Sequence, residues 1–264
     1  MRPFEKQEDI TQHLLYKRWL IPITNVCNLS CGGCAQLCGH FEKEKLWFLS
    51  LDDLRDVLNL LVKYTSEDKR WNEITIFGGE PTLHPKFEEI LLLLYSYDSV
   101  QFRINTNGRK GHQQYYRHRN VQYFVDEHPF DQEFIPTLIA SYDLLKNHNS
   151  LFYWEKAQKD CHVWANEGAM IYKNKAYFCE NAASMDWFFH NGENGWEITE
   201  KNPFERSKEE IDQQAMLFCH RCAWCCSDRI PRQKVSEPSK VSPYNMQFMK
   251  SSELIQLTIP KKSN

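Results

Sequence analysis

The chain has 264 residues, 14% of them aromatic, which is long enough to bury a sizeable core and too aromatic for a disordered polymer. Lys and Arg number 32 against 35 Asp and Glu, a net charge of −3, so no overall positive field draws in nucleic acid or an acidic membrane surface. At roughly 150 residues per domain the length fits one large domain, or one core with an appendage.

The first six residues, Met1-Arg2-Pro3-Phe4-Glu5-Lys6, carry both signs of charge and no apolar stretch, so no secretory signal is expected. Residues 18–24 alternate and are β-prone, through Trp19, Ile21 and Ile23, which predicts a strand. Ser50-Leu51-Asp52-Asp53 resembles a capping box, and Leu51, Leu54, Leu58 and Leu61 recur at helical spacing, so a helix is expected to run to about Tyr64. Residues 73–77 read as a short strand ended by Gly78-Gly79. Pro85 is placed at the first position of a second helix carrying Ile90, Leu91 and Leu94. Residues 90–94 are also the longest purely apolar run, far short of a membrane span.

Residues 100–104 predict a third strand, ended by Asn105-Thr106-Asn107-Gly108, and residues 121–125 a fourth. Repeated β–α units imply parallel strands with right-handed crossovers. After about residue 150 the character changes. Residues 169–172 and 176–179 flank a polar turn and read as a hairpin. Asn202-Pro203-Phe204-Glu205 reads as a helix start, with Ile211, Ala215 and Phe218 as the apolar stripe leading into Cys219. The Ser-, Lys- and Pro-rich tail after Pro231 is expected to be loosely packed. The organisation is thus a core over 1–150, a cysteine-bearing region over 151–230 and a tail over 231–264.

The ten cysteines fall into two groups with none between Gly39 and Asp160. With no export signal expected, they argue for metal or thiol chemistry in a reducing, cytoplasmic compartment. Cys27, Cys31 and Cys34 lie within eight residues directly after the first strand and can converge on one soft metal centre. Three ligands leave a position open, whereas a closed zinc site wants four, with Cys38 or His40 as the candidate fourth. Gly78-Gly79-Glu80 and Asn105-Thr106-Asn107-Gly108 follow the next two strands. All three motifs therefore fall on one edge, the carboxyl ends of parallel strands, where such folds place ligands. Two glycines allow a close backbone approach to a ligand, Glu80 offers a carboxylate to an amine, and Thr106 and Asn107 suit hydroxyls.

Cys27, Cys31 and Cys34 match the C-x3-C-x2-C signature of the radical S-adenosylmethionine (SAM) superfamily, and Gly78-Gly79-Glu80 resembles its methionine-amine motif in order and spacing. The resemblance implies an α/β fold, the family's partial (β/α) barrel, over residues 16 to about 130. It implies a [4Fe-4S] cluster on the three cysteines, with SAM chelated by the open iron and cleaved after one-electron reduction. Glu80 would then contact the SAM amine, and Thr106 or Asn107 would lie near its ribose or carboxylate. Gly33 departs from the family, which places an aromatic residue before the third cysteine.

The order Cys161, hairpin, Cys179, helix, Cys219-x2-Cys222 resembles the auxiliary-cluster twitch or SPASM appendage, and is especially similar to that of the butirosin-pathway aminocyclitol dehydrogenase. A small C-terminal subdomain of β-hairpin plus helix is implied. There Cys161, Cys179, Cys219 and Cys222 would hold a second [4Fe-4S] cluster, with Cys225 able to replace one of the last two. Four thiolates satisfy zinc equally well. Cys225 and Cys226 are the candidate catalytic hydrogen donors of an epimerase. The expected activity is oxidation of a small polar molecule, a sugar or aminocyclitol, with an external reductant of flavodoxin or ferredoxin type. Nucleic acid and membrane are not expected partners. Epimerisation, peptide modification and a zinc-stabilised binding protein are the alternatives. Asp126-Glu127-His128, after the fourth strand, lies on the edge suited to substrate contact.

Overall fold

The computed structural model describes residues 18–31, 34–38, 41–67, 73–109, 118–126, 133–134, 161, 169–198, 206–219, 222 and 233–236. Strand β1 (Trp19–Pro22) has β3 (Glu73–Phe77) on one side and β7 (Ala169–Tyr172) on the other, both parallel to it. Beyond β3 lie β4 (Gln101–Thr106) and β5 (Val121–Val125), also parallel. Beyond β7 the antiparallel β8 (Lys175–Tyr177) and β9 (Trp196–Glu197) complete the order β5-β4-β3-β1-β7-β8-β9. The expected parallel α/β core is therefore present, and the C-terminal hairpin extends the same sheet through the Trp19↔Ala169 register.

Both faces of β1 are covered, which is why all four of its residues are buried although the sequence there alternates only in part. Trp19, Ile21, Ile74, Ile76, Phe102 and Ile104 face one core. Helix α1 (Leu51–Glu67) packs Leu54, Leu58 and Leu61 into it, and α2 (Phe87–Tyr95) packs Ile90 and Leu94. Each of those buried leucines contributes roughly 1.5–3 kcal/mol of transfer free energy. Leu20, Phe77, Met170, Tyr172 and Tyr177 face the opposite core. There α3 (Glu180–His190) and α4 (Lys208–Phe218) close over them with Ala182, Met185, Ile211 and Phe218. A strand covered twice reads as a continuous apolar run rather than as clean alternation.

Local chemistry sets the helix ends. The Ser50 hydroxyl accepts from Asp53 N at 3.1 Å and donates to Asp53 Oδ2 at 2.6 Å, so the box expected at the start of α1 forms. Three expectations need correction. Pro85 does not open α2, because a short 3-10 turn over Pro81–Leu83 precedes it and the helix starts at Phe87 with Lys86 as cap. α4 starts at Lys208, not at Pro203, because Ser207 and Glu210 form a reciprocal capping box; residues 202–205 lie outside those described. Residues of the tail are not all loose, since β10 (Gln233–Ser236) pairs antiparallel with β2 (Ser30–Cys31) and with β6 (Glu133–Phe134). Among the described residues no helix is long and apolar enough to cross a membrane.

His84 ties the two halves of the first core to each other. Its Nε2 lies 2.9 Å from Leu49 O, and Lys86 N donates to its Nδ1 at 3.1 Å. That pair of bonds requires the neutral ring with the proton on Nε2. Burial accordingly holds the His84 pKa below its ordinary value of 6.5. A depressed folded pKa means that this contribution is whole above the unfolded pKa, roughly 6.5, and is lost as pH falls below it. Urea midpoints are expected to fall between pH 7.5 and 5.5, by no more than the roughly 1.4 kcal/mol per pH unit that one proton allows. A His84→Gln chain should lose that part of the slope; an identical slope would refute the assignment.

Candidate active site and metal centre

The chain that leaves β1 is fixed by polar groups before it reaches the first cysteine. Thr24 Oγ1 donates to Trp47 O at 2.7 Å and accepts from Val26 N at 3.0 Å. Buried Asn25 clasps the same segment, donating to Lys45 O at 3.0 Å and accepting from Trp47 N at 2.9 Å. From the other side the end of β3 closes in, with Gly79 N donating to Thr24 O and Glu80 N to Val26 O, both at 2.8 Å. A Cβ on Gly78 would stand 2.2 Å from Thr24 O, and one on Gly79 would stand 2.1 Å from Val26 O. The glycines were expected to let a backbone approach a ligand. What they admit is the backbone that carries Cys27, a contact no side chain would permit.

Glu80 is 1% exposed and is the hub of the site. Its Oε1 accepts from Thr82 N at 3.2 Å, from the Thr82 hydroxyl, and from Thr106 Oγ1 at 2.7 Å. Its Oε2 accepts from Asn107 N at 2.8 Å. A carboxylate offers about four lone-pair positions, two on each oxygen, so Oε2 keeps one for an added donor such as an amine. Asn107 then reaches the cysteine loop, donating through Nδ2 to Asn28 Oδ1 at 2.8 Å, with Cys27 Sγ at 3.9 Å. The three strand-end motifs expected to share one edge are thus joined by hydrogen bonds. Thr106 and Asn107 spend theirs on Glu80, on the cysteine loop and on the turn at Gly108, whose N donates to Thr106 Oγ1 at 3.1 Å.

Cys27, Cys31 and Cys34 are free of disulfides and half-buried. Burial first, and then the charge of Cys34, pushes the Cys27 and Cys31 thiols up to about 12. Cys34 goes the other way, because the Cys38 thiol donates a hydrogen bond to it, and Cys38 rises correspondingly. Cys38 is therefore a buried partner of the third thiol. Arg109 and Asp126, at the ends of β4 and β5, also act on Cys31; their proximity was not expected for Arg109, and no spacing rule would have flagged it. Glu127, His128, Gly33 and His40 lie outside the described residues.

The donor set fits an iron–sulfur cluster. Three unpaired thiols share one loop, and the buried Gln36 Nε2, two residues past Cys34, has no acceptor, a deficit that sulfide would supply. Among the described residues no three His, Cys, Asp or Glu side chains gather closely enough for a single metal ion.

Cys179 caps α3, its sulfur accepting from Ala182 N at 3.4 Å, a helix that the hairpin reading did not foresee although Asn191 and Gly192 mark its end. Cys222 N donates to Cys219 O at 3.2 Å, and Asn181 Nδ2 points to Cys222 Sγ at 3.6 Å. Cys219 lies within Coulombic reach of Cys161, Cys179 and Cys222, and burial raises both the Cys179 and the Cys219 thiols well above the ordinary value. Cys225 and Cys226 lie outside the described residues.

Residues 21–121 match the family model described as "Radical SAM superfamily". A GTP 3',8-cyclase of Actinobacillus succinogenes is 29% identical over 89 residues, covering 33% of this chain and 25% of that relative. The chain thus aligns with about a quarter of that relative's length. Streptococcus suis SuiB bound to S-adenosylmethionine aligns over 77% of this chain and 66% of its own, with 12% identity and a TM-score of 0.40. The same protein bound to precursor peptide SuiA covers 47% and 28%, with 17% identity and a TM-score of 0.34. The match to the radical SAM superfamily model lies on residues 21–121, and the parallel α/β sheet that these residues build is of the partial-barrel kind. That family implies a [4Fe-4S] cluster and SAM.

A Glu80→Gln substitution tests the hub. With oxygen kept toward the two threonines, the new NH2 faces Asn107 N, donor against donor. The buried mispairing costs about 1–3 kcal/mol, and the charge that would meet an amine is gone. SAM affinity of the cluster-loaded chain, read by equilibrium dialysis, should fall at least roughly tenfold. Unchanged affinity would remove Glu80 from the amine site.

Proposed function

We propose that the chain reductively cleaves SAM at a [4Fe-4S] cluster held by Cys27, Cys31 and Cys34, and oxidises a small polar substrate of sugar or aminocyclitol type. A second [4Fe-4S] cluster on Cys161, Cys179, Cys219 and Cys222 would take up the electron that this oxidation releases. The observation that carries the reading is the Cys27–Asn107–Glu80 connection, which holds a cluster ligand and an amine-binding carboxylate in one hydrogen-bonded unit. When bound, the cluster and SAM together would supply hydrogen-atom abstraction.

This chain's own residues supply placement. Glu80 offers Oε2 to the amine, and Thr106 and Asn107 N lock the carboxylate so that it need not reorganise. Thr24 and Asn25 fix the approach to Cys27. Burial of the second group among Leu37, Phe77, Met170 and Phe218 keeps water from Cys179 and Cys222.

Purification without air, followed by metal and sulfide analysis, tests the reading. About eight irons and eight sulfides per chain are expected. About two zinc ions and no sulfide would overturn it in favour of a zinc-stabilised binding protein. A Cys179→Ala chain should keep about half of the iron and still release 5′-deoxyadenosine. Full iron content in that variant would remove the second cluster alone.

A further inference from the structure

We propose that a cleft on the outer flank of the sheet binds an apolar zwitterion of the amino-acid or short-peptide class, with its carboxylate on Lys173 and its ammonium on Asp53 and Asp56. The cleft measures about 790 Å³ and opens between α1, residues 47–49 and the β7–β8 turn. It shares no lining residue with the Glu80 site. Volumes of roughly 300–1,000 Å³ are those of small-molecule sites.

The lining is divided by chemistry. Trp47, Leu49, Val57, Leu60 and Ile198 form an apolar floor. Asp53 and Asp56, about one turn apart on α1, line the cleft. Lys173 lines it from the β7–β8 turn, and its ammonium lies 5.1 Å from the Trp47 ring centroid and 4.3 Å from that of Trp187. Two indole faces favour a cation but do not neutralise it. Among the described residues no carboxylate lies within ion-pair distance of Lys173. Burial holds its pKa below the ordinary value, a cost that an incoming carboxylate would relieve.

Lys173 is also held with φ 56, a backbone position few non-glycine residues adopt, so its direction is set by the hairpin turn. Asp53 has one oxygen engaged by Ser50, which fixes its rotamer. Charges of opposite sign, from α1 and from the β7–β8 turn, in one cleft with an apolar lining select a ligand that is charged at both ends and apolar in the middle. An anion alone would be repelled by the two aspartates, and an amine alone by Lys173.

The test is calorimetric titration of the 264-residue chain, purified without air, with trileucine, N-acetyl-trileucine, trileucine amide and free leucine. Trileucine should bind saturably at one site, and each end-blocked form roughly three- to tenfold more weakly. Lys173→Asn keeps a residue that tolerates positive φ and should weaken trileucine and its N-acetyl form while sparing the amide. Asp56→Asn, on an exposed helix position, should weaken trileucine and the amide while sparing the N-acetyl form. That second variant keeps the test valid if the turn variant fails to fold. Leucine binding as tightly as trileucine assigns the site to free amino acids, and weaker binding assigns it to peptides. No saturable binding of any probe up to about 10 mM would overturn the proposal. So would variants that weaken free and blocked probes alike.

Discussion

Replacing Cys31 with Ala is expected to abolish 5′-deoxyadenosine formation and to strip the first cluster. The size of the effect follows from where Cys31 sits. It lies in β2, paired with Val235 of β10, and Cys34 N donates to its carbonyl at 3.2 Å. The backbone would persist in the variant, so the loss would be that of one thiolate and not of the loop. Loss of a residue that merely supports a metal ligand costs roughly 10–100-fold in affinity or activity, and loss of a ligand should exceed that. Cys38 does not offer a substitute, because its thiol is buried and hydrogen-bonded to Cys34. The measurement is 5′-deoxyadenosine per chain under strong reductant, alongside iron content. Yield equal to that of the parent would refute the cluster assignment, whatever the fate of the second cysteine group.

The strand-end arrangement was legible because parallel β–α units send every strand's carboxyl end to one edge. Cys27, Glu80 and Asn107 follow three such strands, and residues 73–77 and 121–125 form strands with the bounds read from their β-prone patterns. What could not be read was how the motifs touch. Gly78 and Gly79 resemble an ordinary turn, and only their distances to Thr24 and Val26 reveal a backbone-to-backbone contact. The C-terminal region was harder for a related reason. Ala169 pairs with Trp19 across 150 positions, and α3 and α4 cover the far face of β1, so long-range packing rather than local pattern decides their place. The capping box at Ser207 outcompeted the Asn202-Pro203 start because it satisfies two backbone donors reciprocally. The strand at 233–236 has little apolar content, and local pattern gave no sign of its pairing with β2 and β6.

Gly78→Ala should be among the most damaging single substitutions in the chain, although it adds only one methyl group. Gly78 has φ 140, which an L side chain rarely adopts, and strain of that kind costs roughly 1–3 kcal/mol. The added Cβ would stand 2.2 Å from Thr24 O, an atom of backbone that cannot rotate away. Overpacking against fixed atoms costs about 1–3 kcal/mol more. Relief requires the ends of β1 and β3 to separate, which breaks the Gly79 N–Thr24 O and Glu80 N–Val26 O bonds and carries Glu80 away from Asn107. Stability and SAM binding should therefore fall together. Gly108→Ala supplies the internal control. Its φ of 71 is also positive, but the sole close atom is Val125 Cγ1 at 2.6 Å, the end of a side chain on an exposed strand residue. Urea denaturation should rank Gly78→Ala well below Gly108→Ala, with the parent above both. Equal losses would mean that φ strain alone decides the cost, and the close packing of the cysteine loop on β3 would lose its energetic role.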